Sequence, residues 1–196
     1  HMTFHHHRVG LHKGQPGSLE PSDKVARLVP LFTTVEYSEL DVKRNLGIAY
    51  IALSQREEGV DHARDYVEQG AAMLRDCWQA GLRDVELAKN LAEVSVGMGR
   101  EDASSFAHFV LQQEQATGKQ RVSALLVLAT EHLKKQEFAE AVKRMREVTR
   151  LRRHADDWEY LGQYEFAAGN REEATKAIRK AIEIDPARAQ RLRLPE

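Results

Sequence analysis

Trp158-Glu159-Tyr160-Leu161-Gly162, followed by Gly169, Ala174, Ile178, Ala181 and Pro186, is the stretch on which the fold turns. Trp158 and Leu161 stand three apart, so they share one face of a helix as large apolar knobs. Gly162 and Ala174 are small and allow a second helix to approach closely. Gly169 ends the first helix and Pro186 stops the second. Ala174, Ala177, Ile178, Ala181 and Ile182 form a single apolar stripe on that second helix. The stretch therefore reads as a pair of helices joined by a tight turn.

Working outward, the same frame recurs. Leu128-Ala129, then Phe138, Ala141 and Val148, match Leu161-Gly162, Arg171, Ala174 and Ala181 at an offset of 33 residues. Leu91-Ala92, Gly99 and Ala103 give a looser match with a shorter turn. Leu46-Gly47 with Tyr50 repeats the first-helix pattern, with Ala63 expected as the small residue opposite. The spacings Ala63 to Ala103, Ala103 to Ala141 and Ala141 to Ala174 are 40, 38 and 33 residues, so the first pair is enlarged. From Asp41 to Asp185 there is no proline, and good helix formers dominate. Apolar periodicity predicts helices over 38–54, 58–80, 84–97, 101–116, 120–135, 138–152, 156–168 and 171–184. A short capping helix is expected to begin within 187–193.

This pattern resembles the tetratricopeptide repeat, a helix pair with a period of about 34 residues. The resemblance covers 38–186. It implies an all-α fold, a right-handed α-α superhelix of about four helix pairs. Each pair buries its apolar face only against its neighbours, so several are required. Residues 1–37 are set apart by Pro16, Pro21, Pro30, Gly10, Gly14 and Gly17, and read as an irregular N-terminal segment with one short helix between Ser22 and Leu28. The expected division is thus 1–37 and 38–196.

The 196 residues carry 30 Asp and Glu against 29 Lys and Arg, a formal net charge of -1. That balance argues against a general nucleic-acid binder. No apolar run reaches ~18 residues, so membrane insertion is not expected. The single cysteine, Cys77, excludes an internal disulfide framework and reads as a small core residue rather than a reactive thiol. The sequence holds no GxxxxGK[ST], GxGxxG, GxSxG or HExxH motif, so no enzyme is expected.

In the repeat family the first helix of each pair lines a concave groove, and a protein or peptide partner is expected there. Carried onto this sequence, that frame points to Arg44, Glu86, Lys89, Asn90, Glu93, Thr130, Lys134, Glu159 and Gln163, with Asp41, Ile48, Ser123, Leu126 and Asp156 alongside. Members that bind chaperone C-termini use a lysine- and asparagine-rich clamp. Ile48, Ser123 and Val127 occupy places where clamp residues would stand, so that activity is not expected. A second charged feature is local. Over 134–153 eight cationic side chains face three glutamates, an excess of +5 that suits an acidic partner or a solvated helix face.

Five of the nine histidines fall in the first twelve residues: His1, His5, His6, His7 and His12. His5, His6 and His7 are the candidate metal ligands. The run His1 to Val9 also resembles the junction that follows the last haem motif of some bacterial multihaem cytochromes c, where it leads into a C-terminal tetratricopeptide domain. That resemblance implies haem c in a longer parent protein, one of His1, His5, His6 or His7 as an axial ligand, and a periplasmic location; without it a cytoplasmic location is expected. The sequence has no Cys-x-x-Cys-His, so it attaches no haem itself and has no other expected cofactor.

Overall fold

Ser38 starts the first helix by a reciprocal cap: its Oγ accepts from the Asp41 amide at 3.1 Å, and the Asp41 carboxylate accepts from the Ser38 amide at 3.3 Å. The computed structural model describes residues 38–56, 60–190 and 192. The expected helix between Ser22 and Leu28 and the N-terminal histidines lie outside them. Every regular element among the described residues is helical. The chain divides into two units, residues 1–82 and 83–196.

In the first unit α1 (Glu39–Ser54) packs on α2 (Val60–Gln79). At 20 residues α2 is long, as the enlarged first pair predicts. The contact is backbone on backbone. A Cβ added at Gly70 would lie 2.7 Å from the Gly47 carbonyl oxygen, and one added at Gly47 would lie 2.9 Å from Leu74 Cδ2. The small residue opposite Gly47 is therefore Gly70, and Ala63 is only half-buried. In the last pair the small residues lie 12 apart, Gly162 to Ala174, but Gly47 and Gly70 lie 23 apart. Seven of the extra eleven residues lie in α2 before Gly70, about two helical turns, which lengthens α2 while keeping the same face toward α1. Ile51, Ala71, Leu74 and Cys77 complete the core, and Lys43 pairs with Asp76 at 2.6 Å across the two helices.

The second unit holds three pairs: α3 (Val85–Gly97) with α4 (Ala103–Gln112), α5 (Gly118–Lys134) with α6 (Phe138–Leu151), and α7 (Ala155–Ala167) with α8 (Arg171–Ile184). Links of three to five residues make successive packed helices run antiparallel. Pairs adjoin through α4 on α5, α3 beside α5, and α6 on α7. The first helices stop in one way. Gly99, Gln136 and Gly169 take φ of 67°, 60° and 83°. The next amides, Arg100, Glu137 and Asn170, then donate to carbonyls five residues back at 2.8 Å each. Only Gln136 does this with a side chain in the left-handed region.

Gly162 is where α7 meets α8: a Cβ there would fall 2.7 Å from Ile178 Cδ1 and 3.3 Å from the Ala174 carbonyl. Ala174 is fully buried. Ala129, Ala141, Met145, Leu161, Tyr164 and Ala177 join α5 through α8 in one apolar cluster, with Trp158 packed against it.

Most helical bounds fall within two residues of the sequence reading, and the largest difference lies between α4 and α5. α4 ends at Gln112 rather than near 116, and α5 begins at Gly118 rather than 120. Arg121 accounts for the difference. Its guanidinium donates to the carbonyls of Leu111, Gln113 and Ala116 at 3.2, 2.8 and 3.2 Å, fixing 113–117 as a connection. Thr117 then caps α5 through a reciprocal pair with Gln120. After α8, Pro186–Gln190 form a 3-10 helix where a capping helix was expected.

Candidate functional site

The side-by-side first helices α3 and α5 enclose a groove of about 610 Å³ in the second unit. Its walls carry Glu86, Lys89 and Glu93 from α3, and Ser123, Leu126 and Thr130 from α5. These six lie three or four apart along their helices, so one face of each helix is presented. Val96, Val122 and Val127 supply apolar surface, and Lys119 and Arg152 stand among the lining residues.

The polar walls are cross-braced. Lys89 lies 3.1 Å from Glu93 and 3.6 Å from Glu86. Gln120 donates to Glu86 at 2.9 Å, and the Ser123 hydroxyl donates to Glu93, so α5 holds both carboxylates of α3. Asn90, only 4% exposed, donates to the Glu86 carbonyl at 2.8 Å and to its carboxylate at 3.0 Å. Thr130 donates to the Leu126 carbonyl and is hydrogen-bonded to Tyr164, whose phenol is pushed up by burial. Two carboxylates and one ammonium thus stand in fixed positions above an aliphatic floor, and the groove can offer both acceptors and a donor to an extended chain without first ordering them.

The other sequence-indicated residues lie apart. Arg44 is on α1 of the first unit, 3.6 Å from Asp41. Lys134 reaches the end of α3, donating to the Val96 carbonyl at 2.9 Å while pairing with buried Glu131 at 3.2 Å. Glu159, on α7, is 9% exposed and accepts from Arg188 at 2.6 Å. Arg188 also pairs with Asp156 at 2.6 Å and Asp185 at 2.9 Å, and these carboxylates hold its guanidinium firmly protonated. Gln163 is exposed on the same helix. Sequence reading did not anticipate Gln120 or Arg188. The Thr117-x-x-Gln120 capping spacing places Gln120 at the groove wall, whereas no local signal aims Arg188 back at α7.

Cys77 is fully buried, its thiol donates to the Leu40 carbonyl at 3.5 Å, and burial pushes its pKa up. Among the described residues no group of three or more His, Cys, Asp or Glu side chains could hold a metal ion. His5, His6 and His7, and with them the haem-ligand expectation, lie outside those residues. No helix among the described residues is long and apolar enough to cross a membrane.

An all-α array of helix pairs, with small residues at the crossings of the first and last pairs and a left-handed stop after the first helix of each pair in the second unit, defines a helical-repeat fold. The family described as "Tetratricopeptide repeat" matches residues 155–188, the last pair. Solved structures extend the likeness beyond that pair. A structure designated "MamA MSR-1 C2" is 18% identical, with a TM-score of 0.61 over 95% of this chain and 97% of that one. A crystal structure of MamA is 17% identical, with a TM-score of 0.55 over 78% and 77%. YrrB, described as a TPR protein with an unusual peptide-binding site, is 20% identical, with a TM-score of 0.57 over 88% and 91%. No curated protein sequence matches the chain.

Proposed function

We propose that the chain is a protein-interaction scaffold that holds a peptide segment of a protein partner in the groove between α3 and α5, and that it works by binding rather than by catalysis. The observation that carries this reading is the groove itself, with charged walls fixed by cross-helix hydrogen bonds and an aliphatic floor. YrrB, which shares the fold, is a peptide-binding repeat protein by its description, which supports the same use here. The tetratricopeptide architecture and the lack of a catalytic motif in the sequence both fit a binding role.

An extended peptide suits the dimensions. Its backbone amides meet Glu86 and Glu93, its carbonyls meet Lys89, and one or two aliphatic side chains rest on Val96 and Leu126. Electrostatic fit at the walls sets orientation and register more than total affinity. Arg44, Lys134, Glu159 and Gln163 are assigned no direct contact with this segment.

The test selects ligands from a displayed random-peptide library and measures their affinity for the full chain by fluorescence anisotropy. Lys89→Glu, which turns the wall into three adjacent carboxylates, is expected to weaken the selected peptides by about tenfold or more. Lys134 is left intact because it braces the end of α3. A folded Lys89→Glu chain that binds every selected peptide as tightly as the parent removes the groove from the reading.

A further inference from the structure

α1 closes on the run Leu46-Gly47-Ile48-Ala49-Tyr50-Ile51-Ala52-Leu53, eight residues without a charge. A helix that is apolar on every side needs cover on more than one of them. Among the described residues only α2 packs extensively on α1, and it takes the face of Gly47 and Ile51, the two buried residues of the helix. Tyr50 stands at the border of that contact, its ring 5.8 Å from that of Tyr66 on α2. Val42, Leu46, Ala49 and Leu53 follow one another at spacings of four, three and four, so they form a second apolar stripe, on a side that α2 leaves bare. Leu46 and Leu53 keep 36% and 47% of their surface exposed, and Ala49 is exposed between them. The stripe is about 17 Å long and one helix wide.

We propose that this stripe is the docking site of the chain's own segment 28–37. That segment carries Leu28, Val29, Leu31, Phe32, Val35 and Tyr37, and no charge from 28 to 35. It joins the helix directly. The reciprocal cap stops α1 at Ser38, whose φ of -66° and ψ of 156° are extended, so the chain leaves the helix axis there. Tyr37 and Val42 hold the two positions of a hydrophobic staple, one before the cap and one at the fourth helical residue. A staple turns the entering chain toward its helical partner, and Val42 is the first residue of the stripe. The reach suffices. Leu46 and Leu53 lie about 12 and 22 Å along the helix from Ser38. An extended chain puts Phe32 up to about 20 Å and Leu28 up to about 33 Å from the same point. The size of the stripe selects a tethered occupant: it falls far short of the ~800 Å² per partner that a stable interface between separate chains buries. A segment attached at Ser38 meets it at an effective concentration of about millimolar, so a small apolar contact is enough. The docked segment completes the core of the first helix pair and involves no residue of the α3–α5 groove.

The test places a nitroxide on Ala26→Cys in the full chain, with Cys77→Ala, and reads the amide signals of α1 by NMR. Bleaching is expected at Leu46, Ala49 and Leu53, at least as strong as at Glu39 and Leu40. An undocked tether would bleach Glu39 and Leu40 most and fade toward Leu53, and that gradient would overturn the proposal. Isotope-labelled chain mixed with spin-labelled chain that carries no isotope is expected to show no bleaching. If its signals do bleach, a second copy covers the stripe and the proposal falls. Leu46→Asp with Leu53→Asp charges the stripe at two exposed positions, and Leu28→Asp with Phe32→Asp charges the segment. Each double variant is expected to restore the Ala49 signal while helix content by circular dichroism stays unchanged; undiminished bleaching in either folded variant would overturn the proposal. A readout without a label is the urea midpoint followed by Trp78 on α2 in a Trp158→Phe background. Each double variant is expected to lower that midpoint, and the two together to lower it no further than the larger single loss. Additive losses would show that segment and stripe do not touch.

Discussion

Replacing Gly70 by Ala tests the first helix pair at its tightest point. The new methyl carbon would sit 2.7 Å from the Gly47 carbonyl oxygen and 2.9 Å from Ile51 Cγ1. The first of these is backbone, so no rotamer change relieves it and α1 must move away from α2. Overpacking of this kind costs about 1–3 kcal/mol, and contact with a main-chain atom puts it near the upper end. The same substitution returns about 1 kcal/mol because alanine is the better helix former. The net expectation is a loss of about 1–2 kcal/mol. Gly97 is the control: nothing lies within 4 Å of a Cβ built there. Gly97→Ala should be neutral or gain up to about 1 kcal/mol from propensity alone. Trp78 lies on α2 and Trp158 on α7, so urea unfolding of Gly70→Ala in a Trp158→Phe background reports the first unit through Trp78 emission. A Gly70→Ala midpoint equal to or above that of its parent would refute the close backbone contact and, with it, the equivalence of Gly47 and Gly162.

The remaining expectations are brief. Ala174→Leu should cost about 1–3 kcal/mol in thermal unfolding, because the fully buried Ala174 adjoins Gly162 at the α7–α8 crossing; a neutral result would refute that packing. Gln136→Gly should stabilise the second unit by about 0.5–1 kcal/mol, since the φ of 60° suits glycine, and a loss of stability would contradict the left-handed turn after α5. Cys77 should resist a thiol reagent at pH 8 in the folded chain and react once urea unfolds it. Because burial raises its folded pKa, its share of stability is intact below the unfolded value near 8.5 and declines as pH rises through the folded one; rapid labelling of the native chain at pH 8 would refute the sealed site.

Helix existence was legible because the signals are local. The proline-free span, the apolar stripes and the glycines at 99 and 169 all act within a few residues of where they are read. Bounds and partners escaped where long side chains or inserted turns intervened. Arg121 fixes the end of a helix that closes nine residues before it. Gly70 was hidden because it stands seven residues, about two turns, beyond Ala63 on the same helix, so Ala63 fitted the frame nearly as well. At the groove, helical spacing brought Glu86, Lys89, Glu93 and Thr130 to one place. The same spacing could not show that Arg188 holds Glu159 from 29 residues away or that Lys134 reaches the Val96 carbonyl. Spacing specifies a face; it does not specify which charge already has a partner.

Arg188 bears on attempts to lengthen the array by engineering. It sits on Asp156, Glu159 and Asp185 as a cationic plug, on the surface of α7 that a further repeat would have to meet. A grafted fifth pair joined after Ile184 would displace the 3-10 turn and strip three carboxylates of their common counter-ion. The graft must therefore bring its own guanidinium to that position, or Asp156 and Glu159 must be neutralised along with it. A consensus repeat chosen only for its apolar seam would leave an acidic pocket at the junction, and the added pair would fray from that side.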